Sequence, residues 1–350
     1  MKSNVLITGS LGLIGFESTV FFLDKGFRVL GIDNNLRSKM LSINTNSQKK
    51  IEYLRKRHKG KYIHHDFDIR NKKCISDLFK KYSKIDLIIH TAAQTSHDWS
   101  AQDPFTDYSI NSLGTLNLLE VFRQYCPTAV FIFTSTNKVY GDLVNNLNYK
   151  ESKNRYDLNK IDINYKGITE KFSIDQSKHS FFGVSKASGD LLVQEYGRYF
   201  SLKTGVFRLG VVAGKWQNGA LEQGFLSYMI NHFKKNGEFI VFGYKGKQVR
   251  DIIHAKDLVY AFYLFYKNPK KGEVFNMGGG RNNAHSLLEI IQKISKLSKT
   301  KPKILYKNKP RTGDHKWWIT DYSKFKKLYP SWNIRYSVDD IIFDIFKDDV

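Results

Sequence analysis

Cysteine and proline are scarce in this 350-residue chain, which contains two cysteines and six prolines. Cys74 and Cys126 fall in different segments and lack the spacing of a metal site or a redox pair. We therefore expect neither a structural disulfide nor a bound metal. A reducing cytoplasm is the compartment that best fits this cysteine usage.

Long apolar runs are also missing, since no stretch of about eighteen consecutive apolar residues occurs. This absence argues against a membrane-spanning helix. The first three residues lead directly into an apolar strand and a glycine-rich turn, without the basic and apolar regions of a signal peptide. The sequence therefore predicts a cytoplasmic protein with no membrane partner.

Acidic residues are few relative to basic ones, because 33 Asp and Glu stand against 56 Lys and Arg, a net charge of +23. Such an excess can indicate a nucleic-acid partner. Here, however, the lysines form short scattered pairs, and no zinc finger or aromatic platform for bases accompanies them. We interpret the charge as a solvated basic surface that attracts anionic small substrates, and we expect no nucleic-acid partner.

Segments rich in Val, Ile and Phe alternate with amphipathic stretches through about the first 210 residues. Strands that alternate with helices predict an α/β fold of Rossmann type, with a doubly wound parallel sheet covered on both faces. The predicted strands are residues 4–8, 28–32, 61–65, 87–90, 130–134 and 204–209, and the predicted helices include residues 16–25, 73–82 and 111–125.

A glycine-rich run, GSLGLIG at residues 9–15, lies between the first predicted strand and the first predicted helix. Gly9 permits a tight turn, Gly12 lets the backbone approach a pyrophosphate, and Gly15 lets the helix pack closely. Asp33 ends the second strand, where a carboxylate can bind a ribose diol and repel a 2′-phosphate. The glycine-rich run and Asp33 together predict NAD rather than NADP, although Arg37 is near enough in sequence to accommodate a 2′-phosphate.

After about residue 210 the alternation breaks into shorter pieces separated by glycines. We therefore predict a dinucleotide-binding domain over residues 1–210 and a smaller, irregular substrate lobe over residues 211–350. The prediction leaves open that some C-terminal segments of this lobe belong to the first domain. No Pro- or Ser-rich linker separates the two parts, so we expect the site to lie between them.

Polar residues recur where three of the predicted parallel strands end, at residues 66–70, 90–94 and 134–138. One such cluster alone could be a helix cap. Because the carboxyl ends of parallel strands meet at one edge of the sheet, their common register favours a ligand site there. His97, Asp98 and Trp99, just past Gln94, are further candidates for shaping that site, although ordinary packing explains them equally well.

These motifs, in this order along nearly the whole chain, resemble extended short-chain dehydrogenases/reductases, the family of NAD-dependent nucleotide-sugar epimerases and dehydratases. Within that family, residues 135–142, 151–156 and 246–251 resemble the subgroup of CDP-sugar epimerases. The resemblance implies transient oxidation and re-reduction of a CDP-linked deoxysugar, with NAD retained through turnover. The alternatives are a nucleotide-sugar oxidoreductase or dehydratase, or a non-catalytic protein that binds NAD or a sugar nucleotide.

The resemblance also implies a catalytic group in which Thr136 holds the reacting oxygen and Lys186 acidifies a tyrosine four residues before it. That tyrosine position is Phe182, which cannot exchange a proton. Either another group is the base, or the replacement traps a complex, or the protein binds its ligands without the reaction. The candidates for a substitute base are Tyr140, Tyr156, Tyr165 and His179.

The resemblance implies further contacts, which we state here as expectations. The cofactor-binding residues would be Gly9, Leu11, Gly12, Leu13, Ile14, Gly15, Asp33, Asn34, Arg37, Asp68, Ile69, Ala92, Ala93, Gln94, Asn111, Thr134 and Lys186. The substrate-binding residues would be Gln94, Thr136, Asn137, Lys138, Gln223, Gln248, Arg250, Arg311 and Asp314. An arginine suits a diphosphate because its planar fork donates two parallel hydrogen bonds.

A homodimer or homotetramer is also implied, formed through the helices that begin near residues 111 and 182. Five apolar residues on these helices could face either a partner subunit or the core of the same chain, namely Leu116, Leu119, Phe122, Leu191 and Tyr196. Sequence periodicity leaves both possibilities open.

Overall fold

The computed structural model describes residues 4–41, 45–82, 84–217, 219, 224–300, 302–310 and 313–347. Its strands are β1 (Asn4–Thr8), β2 (Arg28–Ile32), β3 (Tyr62–His65), β4 (Ile85–His90), β5 (Val130–Thr136), β6 (Tyr149–Glu151), β7 (Tyr156–Leu158), β8 (Lys203–Leu209), β9 (Val211–Ala213), β10 (Glu238–Phe242), β11 (Val249–His254), β12 (Glu273–Met277), β13 (Ala284–Ser286), β14 (Lys303–Lys307) and β15 (Trp317–Trp318).

The α-helices are α1 (Leu13–Asp24), α2 (Leu36–Leu41), α3 (Ser47–Arg57), α4 (Lys72–Lys81), α5 (His97–Gln102), α6 (Pro104–Tyr108), α7 (Gly114–Tyr125), α8 (Ser180–Tyr199), α9 (Phe225–Lys234), α10 (Ala255–Lys267), α11 (Leu287–Ser298), α12 (Ser323–Leu328) and α13 (Val338–Phe346). A π-helical turn, Ser109–Leu113, connects α6 to α7. No described helix is both long and apolar enough to cross a lipid bilayer.

Seven strands form one parallel sheet in the order β12-β8-β5-β4-β1-β2-β3. Alternate residues of β1 are buried on opposite faces, with Val5 and Ile7 in one core and Leu6 in the other. Helices α1 and α10 cover the first face, and α4, α7 and α8 cover the second. Burial on both faces explains the continuous apolar strands of the sequence. The predicted doubly wound Rossmann fold is confirmed.

The six predicted strands all occur, with ends that differ by at most two residues. The predicted helix over residues 111–125 differs more, because its first turn belongs to the π-helix and α7 begins only at Gly114. A π-turn inserts one extra residue into the helical repeat and is often found at functional sites. Here it brings Asn111 against the backbone of Gln94.

The C-terminal part is built around β11, which pairs with β9, β13 and β15. The parallel pair β10 and β14 and the helices α9, α11 and α13 complete a separate apolar core. One strand from this half, β12, instead pairs with β8 and ends the central sheet. The domain boundary at residue 210 stays a prediction.

Candidate functional site

A cavity of about 570 Å³ opens at the carboxyl ends of the central strands. One wall comes from residues that follow β1 to β5, and the opposite wall comes from α9, β10 and β11 of the C-terminal part. This is the edge at which doubly wound sheets place their ligands. The topology therefore brings the three predicted polar clusters to one cavity.

The glycine-rich loop at residues 9–15 forms one end of the cavity. Gly9 has a φ of 66°, and a Cβ there would lie 2.7 Å from the main-chain nitrogen of Ala92. A Cβ on Gly15 would overlap the carbonyl oxygen of Gly9, so Gly15 lets the loop fold on itself rather than only on the strand. Gly12 caps α1 without a side chain, which leaves the helix N-terminus to accept an anion.

Asp33 fixes this loop to the end of β2. Its Oδ2 accepts from the backbone N–H of Leu11 at 2.9 Å, and its Oδ1 accepts from the N–H of Asn35 at 2.9 Å. Burial raises the pKa of the Asp33 carboxyl, while the two backbone hydrogen bonds oppose that rise. A carboxylate oxygen has room for a second donor such as a ribose hydroxyl.

Lys50, on α3, is a functional candidate that the sequence analysis missed. The Lys49-Lys50 pair looks like part of a solvated basic surface, yet Lys50 is only 6% exposed. Its Nζ donates to the carbonyl of Leu11 at 2.9 Å and to the carbonyl of Trp216 at 3.3 Å. This ammonium therefore connects the glycine-rich loop to the C-terminal part. No pattern in the sequence distinguishes it from the neighbouring exposed lysine.

Asn34 and Asp68 meet at the ends of β2 and β3. The Asn34 amide donates to Asp68 Oδ2 at 3.1 Å, and Arg70 donates to both carboxylate oxygens. Burial opposes ionisation of Asp68, but the hydrogen bonds from Arg70 outweigh it and lower the pKa of this carboxyl. Ile69 and Arg37 complete this wall, and burial lowers the pKa of Arg37.

Gln94 and Asn111 form a reciprocal pair behind the wall formed by Ala92 and Ala93. The Asn111 side chain accepts from the N–H of Gln94 and donates to its carbonyl, both at 3.0 Å. The Gln94 amide donates to Asp107 at 2.7 Å. Among the predicted site residues that the structure describes, Asn111 alone does not line the cavity. It holds the backbone of a residue that does.

Thr136 and Lys186 face the middle of the cavity. Lys186 is 3% exposed, and its Nζ donates to the carbonyl of Thr134 at 2.7 Å while lying 4.0 Å from the ring centre of Phe133. Burial lowers the pKa of the Lys186 ammonium to about 7. The Thr136 hydroxyl accepts from the N–H of Lys138 at 3.2 Å, and Asn137 lines the same wall.

Phe182 also lines the cavity and is 6% exposed. Its ring lies edge-on to the imidazole of His97, with 5.0 Å between ring centres and an interplanar angle of 69°. His97 Nδ1 lies 3.0 Å from Ser180 Oγ. The structure thus places the imidazole of His97 beside the position of the family tyrosine.

The four candidates for a substitute base lie elsewhere. Tyr140 is fully buried, donates to Asn276 at 2.8 Å and accepts from Arg208 at 2.9 Å. Tyr165 is covered by the guanidinium of Arg281, 3.7 Å from its ring centre. None of the four is among the described residues that line the cavity. The remaining two are Tyr156 and His179.

The far end of the cavity holds Gln248, Arg250, Asp314 and Lys138. Arg250 donates to Asp314 at 3.4 Å, and Lys138 Nζ donates to the carbonyl of Gly313 at 2.7 Å. Burial lowers the pKa of Lys138 to about 8. The buried Oε1 of Gln248 has no hydrogen-bond partner among the described residues. The predicted residues Gln223 and Arg311 lie outside the described part of the chain.

Residues 5–278 match the model of the NAD dependent epimerase/dehydratase family. The chain is 35% identical to CDP-paratose 2-epimerase of Salmonella typhi over 295 residues, 82% of each protein. This chain belongs to the NAD-dependent epimerase/dehydratase family.

Two further comparisons give lower sequence identity. The chain is 26% identical to dTDP-glucose 4,6-dehydratase of Haemophilus influenzae over 349 residues, which cover 96% of this chain and 89% of the relative. The Thermus thermophilus UDP-glucose 4-epimerase, solved in complex with NAD, shares its fold with a TM-score of 0.78 at 22% identity, covering 99% and 100% of the two chains. The predicted family is therefore confirmed.

NAD is the cofactor of this epimerase/dehydratase family. The cavity fits it, because the glycine-rich loop presents the uncapped N-terminus of α1 and a buried carboxylate follows β2. The assignment of individual contacts to the cofactor and to the sugar stays a prediction.

Proposed function

We propose that this chain is a redox-neutral epimerase that acts on a CDP-linked deoxysugar and retains its NAD through turnover. One observation carries this proposal. A single cavity joins the glycine-rich loop to Thr136 and Lys186 and continues to Gln248 and Arg250. A dinucleotide and a nucleotide sugar can meet only in such a continuous space.

The residues at the centre of the cavity suit hydroxyl recognition and proton control. NAD, when bound, accepts a hydride from a sugar carbon and returns it to the other face. The Thr136 hydroxyl can donate to or accept from the reacting oxygen. Lys186, held against the Thr134 carbonyl, is placed to bind the nicotinamide ribose and to favour negative charge on that oxygen.

The far wall suits a nucleoside diphosphate. Arg250 and Lys138 bring two cations, and Gln248 contributes an amide oxygen that has no hydrogen-bond partner in the described part of the chain and can accept from an exocyclic amino group. The amino group of cytosine is one such donor. The choice of a CDP-linked deoxysugar also rests on the 35% identity to CDP-paratose 2-epimerase.

A dehydratase is the second candidate, because the Haemophilus influenzae relative is named as one. Removing water from a sugar ketone needs a base for a carbon-bound proton and an acid for the departing hydroxyl. The two residues after Thr136 are Asn137 and Lys138, an amide and an amine rather than carboxylic acids. Reversible oxidation alone needs fewer proton-transfer groups, so this composition favours an epimerase.

The test is to incubate the purified protein with CDP-paratose, CDP-tyvelose and other nucleotide sugars in deuterated buffer. Absorbance at 340 nm and proton NMR are followed together. An epimer without net NADH supports the proposal. Accumulating NADH indicates an oxidoreductase, and a deuterated, dehydrated product indicates a dehydratase. Absence of any reaction across the panel contradicts the proposed function.

We also propose that the active protein is a homodimer formed through α7 and α8. Leu119 and Phe122 are fully buried in the core of the same chain, whereas Leu191 on α8 is 50% exposed. Val184 and Leu113 are similarly exposed on the same side of the fold. Light scattering coupled to gel filtration tests this, since Leu191→Glu should give a monomer if this face is the interface.

A further inference from the structure

The proton-transfer group that the proposed reaction needs is missing from its expected position. Phe182 offers no acidic proton, and the four substitutes considered from sequence lie outside the described cavity wall. His97 is on that wall and contacts Phe182 directly. An imidazole can accept and return a proton near neutral pH.

His97 is held in place from two sides by α8. Its ring packs edge-on against Phe182, and its Nδ1 lies 3.0 Å from Ser180 Oγ. Ser180 itself has a φ of 64°, in the left-handed region that serine seldom occupies. Its Oγ also accepts from the N–H of Gly183 at 3.3 Å. A strained residue that orients a ring nitrogen is typical of a functional position.

We propose that His97 is the catalytic acid–base of this chain and takes the place of the absent tyrosine hydroxyl. The inference rests on the proposed epimerase function. With Nδ1–H donating to Ser180 Oγ, Nε2 accepts the proton of the sugar hydroxyl. The electron pair of the C–H bond leaves as hydride to NAD, and a ketone forms. In the reverse step the hydride returns to the opposite face and the same proton returns to the oxygen.

The two lysines near this point each donate to a backbone carbonyl. Lys186 Nζ donates to the carbonyl of Thr134, and Lys138 Nζ donates to the carbonyl of Gly313, both at 2.7 Å. They can bind hydroxyl or phosphate groups from these positions. His97 is the described basic group in contact with Phe182, the position from which the family tyrosine acts.

The ionisable groups on the cavity wall and on the elements packed around His97 are Lys138, Lys186, Arg250, His315, Asp98, Asp103, Asp107 and Asp314. An imidazole must be neutral to accept the first proton.

The test compares His97→Gln with His179→Gln, a matched control at a histidine outside the described cavity wall. We expect His97→Gln to lower kcat by about 100-fold or more, the usual range for loss of a general base, with KM changed less than about threefold. Bound NAD and CDP affinity should stay unchanged. The wild-type and control pH profiles should share an acidic limb that His97→Gln lacks.

A rescue variant separates proton transfer from packing. Phe182→Tyr in the His97→Gln background should recover about tenfold or more of the lost kcat, with a new limb at higher pH because tyrosine titrates higher than histidine. Full activity of His97→Gln, or an acidic limb that persists in it, overturns the proposal. The proposal is also overturned if Phe182→Tyr does not restore the activity lost in His97→Gln and that variant no longer retains NAD. This combination would assign His97 a structural role.

An NMR titration keeps this inference distinct from the epimerase proposal. The imidazole Cε1–H resonance missing from His97→Gln is followed in the wild type, with and without the CDP-sugar. A resonance that titrates and shifts on binding supports His97 even if no epimer forms, in which case only the proposed reaction fails. A resonance that does not respond to the sugar nucleotide overturns the His97 inference whatever the turnover.

Discussion

Asp190 on α8 is the residue whose removal should destabilise this fold most sharply. It is fully buried, and its two oxygens accept from Arg208 Nε at 2.9 Å and from an Arg208 terminal nitrogen at 3.0 Å. Ser135 Oγ and Gln194 Nε2 donate to it at 2.6 Å. Although burial opposes it, Asp190 raises the pKa of Arg208 above its ordinary value.

Replacing Asp190 with Asn leaves the guanidinium buried without its counter-ion. Breaking a buried pair from one side costs about 3–5 kcal/mol of unfolding free energy. For a chain of 350 residues, an unfolding entropy of about 2.1 cal/mol/K per residue converts this loss to a fall in Tm of about 4–7 °C. Urea denaturation and thermal melting at one fixed NAD concentration measure both quantities, because bound cofactor itself stabilises the folded state.

Two comparisons make this test decisive. Asp339→Asn breaks an exposed pair with Lys293 and should cost no more than about 1 kcal/mol. The double variant Asp190→Leu with Arg208→Met removes both buried charges and should be more stable than Asp190→Asn. Two results would refute the reasoning. One is a loss of unfolding free energy below about 1 kcal/mol for Asp190→Asn, and the other is a double variant that is less stable than Asp190→Asn.

Three further predictions concern the cavity. Gly15→Ala should lose most of its bound NAD because the new Cβ overlaps the loop, whereas Gly237→Ala, with only ordinary contacts at its Cβ, should keep it in a cofactor assay of the purified proteins. Asp33→Ser should weaken NAD binding and raise the NADP to NAD affinity ratio by about tenfold, near the 1.4 kcal/mol of one charged hydrogen bond, as measured by calorimetry. In NAD-free protein, stability should rise with pH above about 7, because the lowered pKa of Lys186 makes the unfolded chain bind more protons there. Lys186→Met should reduce this rise in urea titrations and leave the part that comes from Lys138, whose pKa is also lowered, to about 8. An unchanged slope would assign the pH dependence to another group.

The central sheet could be predicted largely from sequence because its strands are continuous apolar runs that a parallel, doubly covered sheet requires. The strand β12 could not, since Glu273–Met277 lies in a half of the chain without regular alternation. Its partner β8 is distant in sequence. Local pattern reports whether a segment is extended, but it carries no information about a distant partner.

The candidate site divides in the same way. Residues at strand ends and in the glycine-rich loop were found because a parallel sheet brings those points to one edge. Asn111 was assigned to the cofactor, yet the π-helical turn directs its side chain to the backbone of Gln94. Lys50 was missed because its burial depends on contacts with Trp216, far along the chain. The sequence gives no reason to prefer His97 as an acid–base candidate, because its contact with Phe182 is visible only in the structure.

The position of β12 has a consequence for synthesis of the protein. Glu273 pairs with Gly205, so the central sheet cannot be completed until the segment Glu273–Met277 has left the ribosome. Until then β8 presents an unpaired edge that includes the apolar residues Val206 and Phe207, and exposed edges of this kind invite pairing with other chains. A truncated chain that ends before β12 would retain that open edge permanently. Expression of this protein should therefore depend on the full sheet, and a fragment that stops near residue 210 should aggregate.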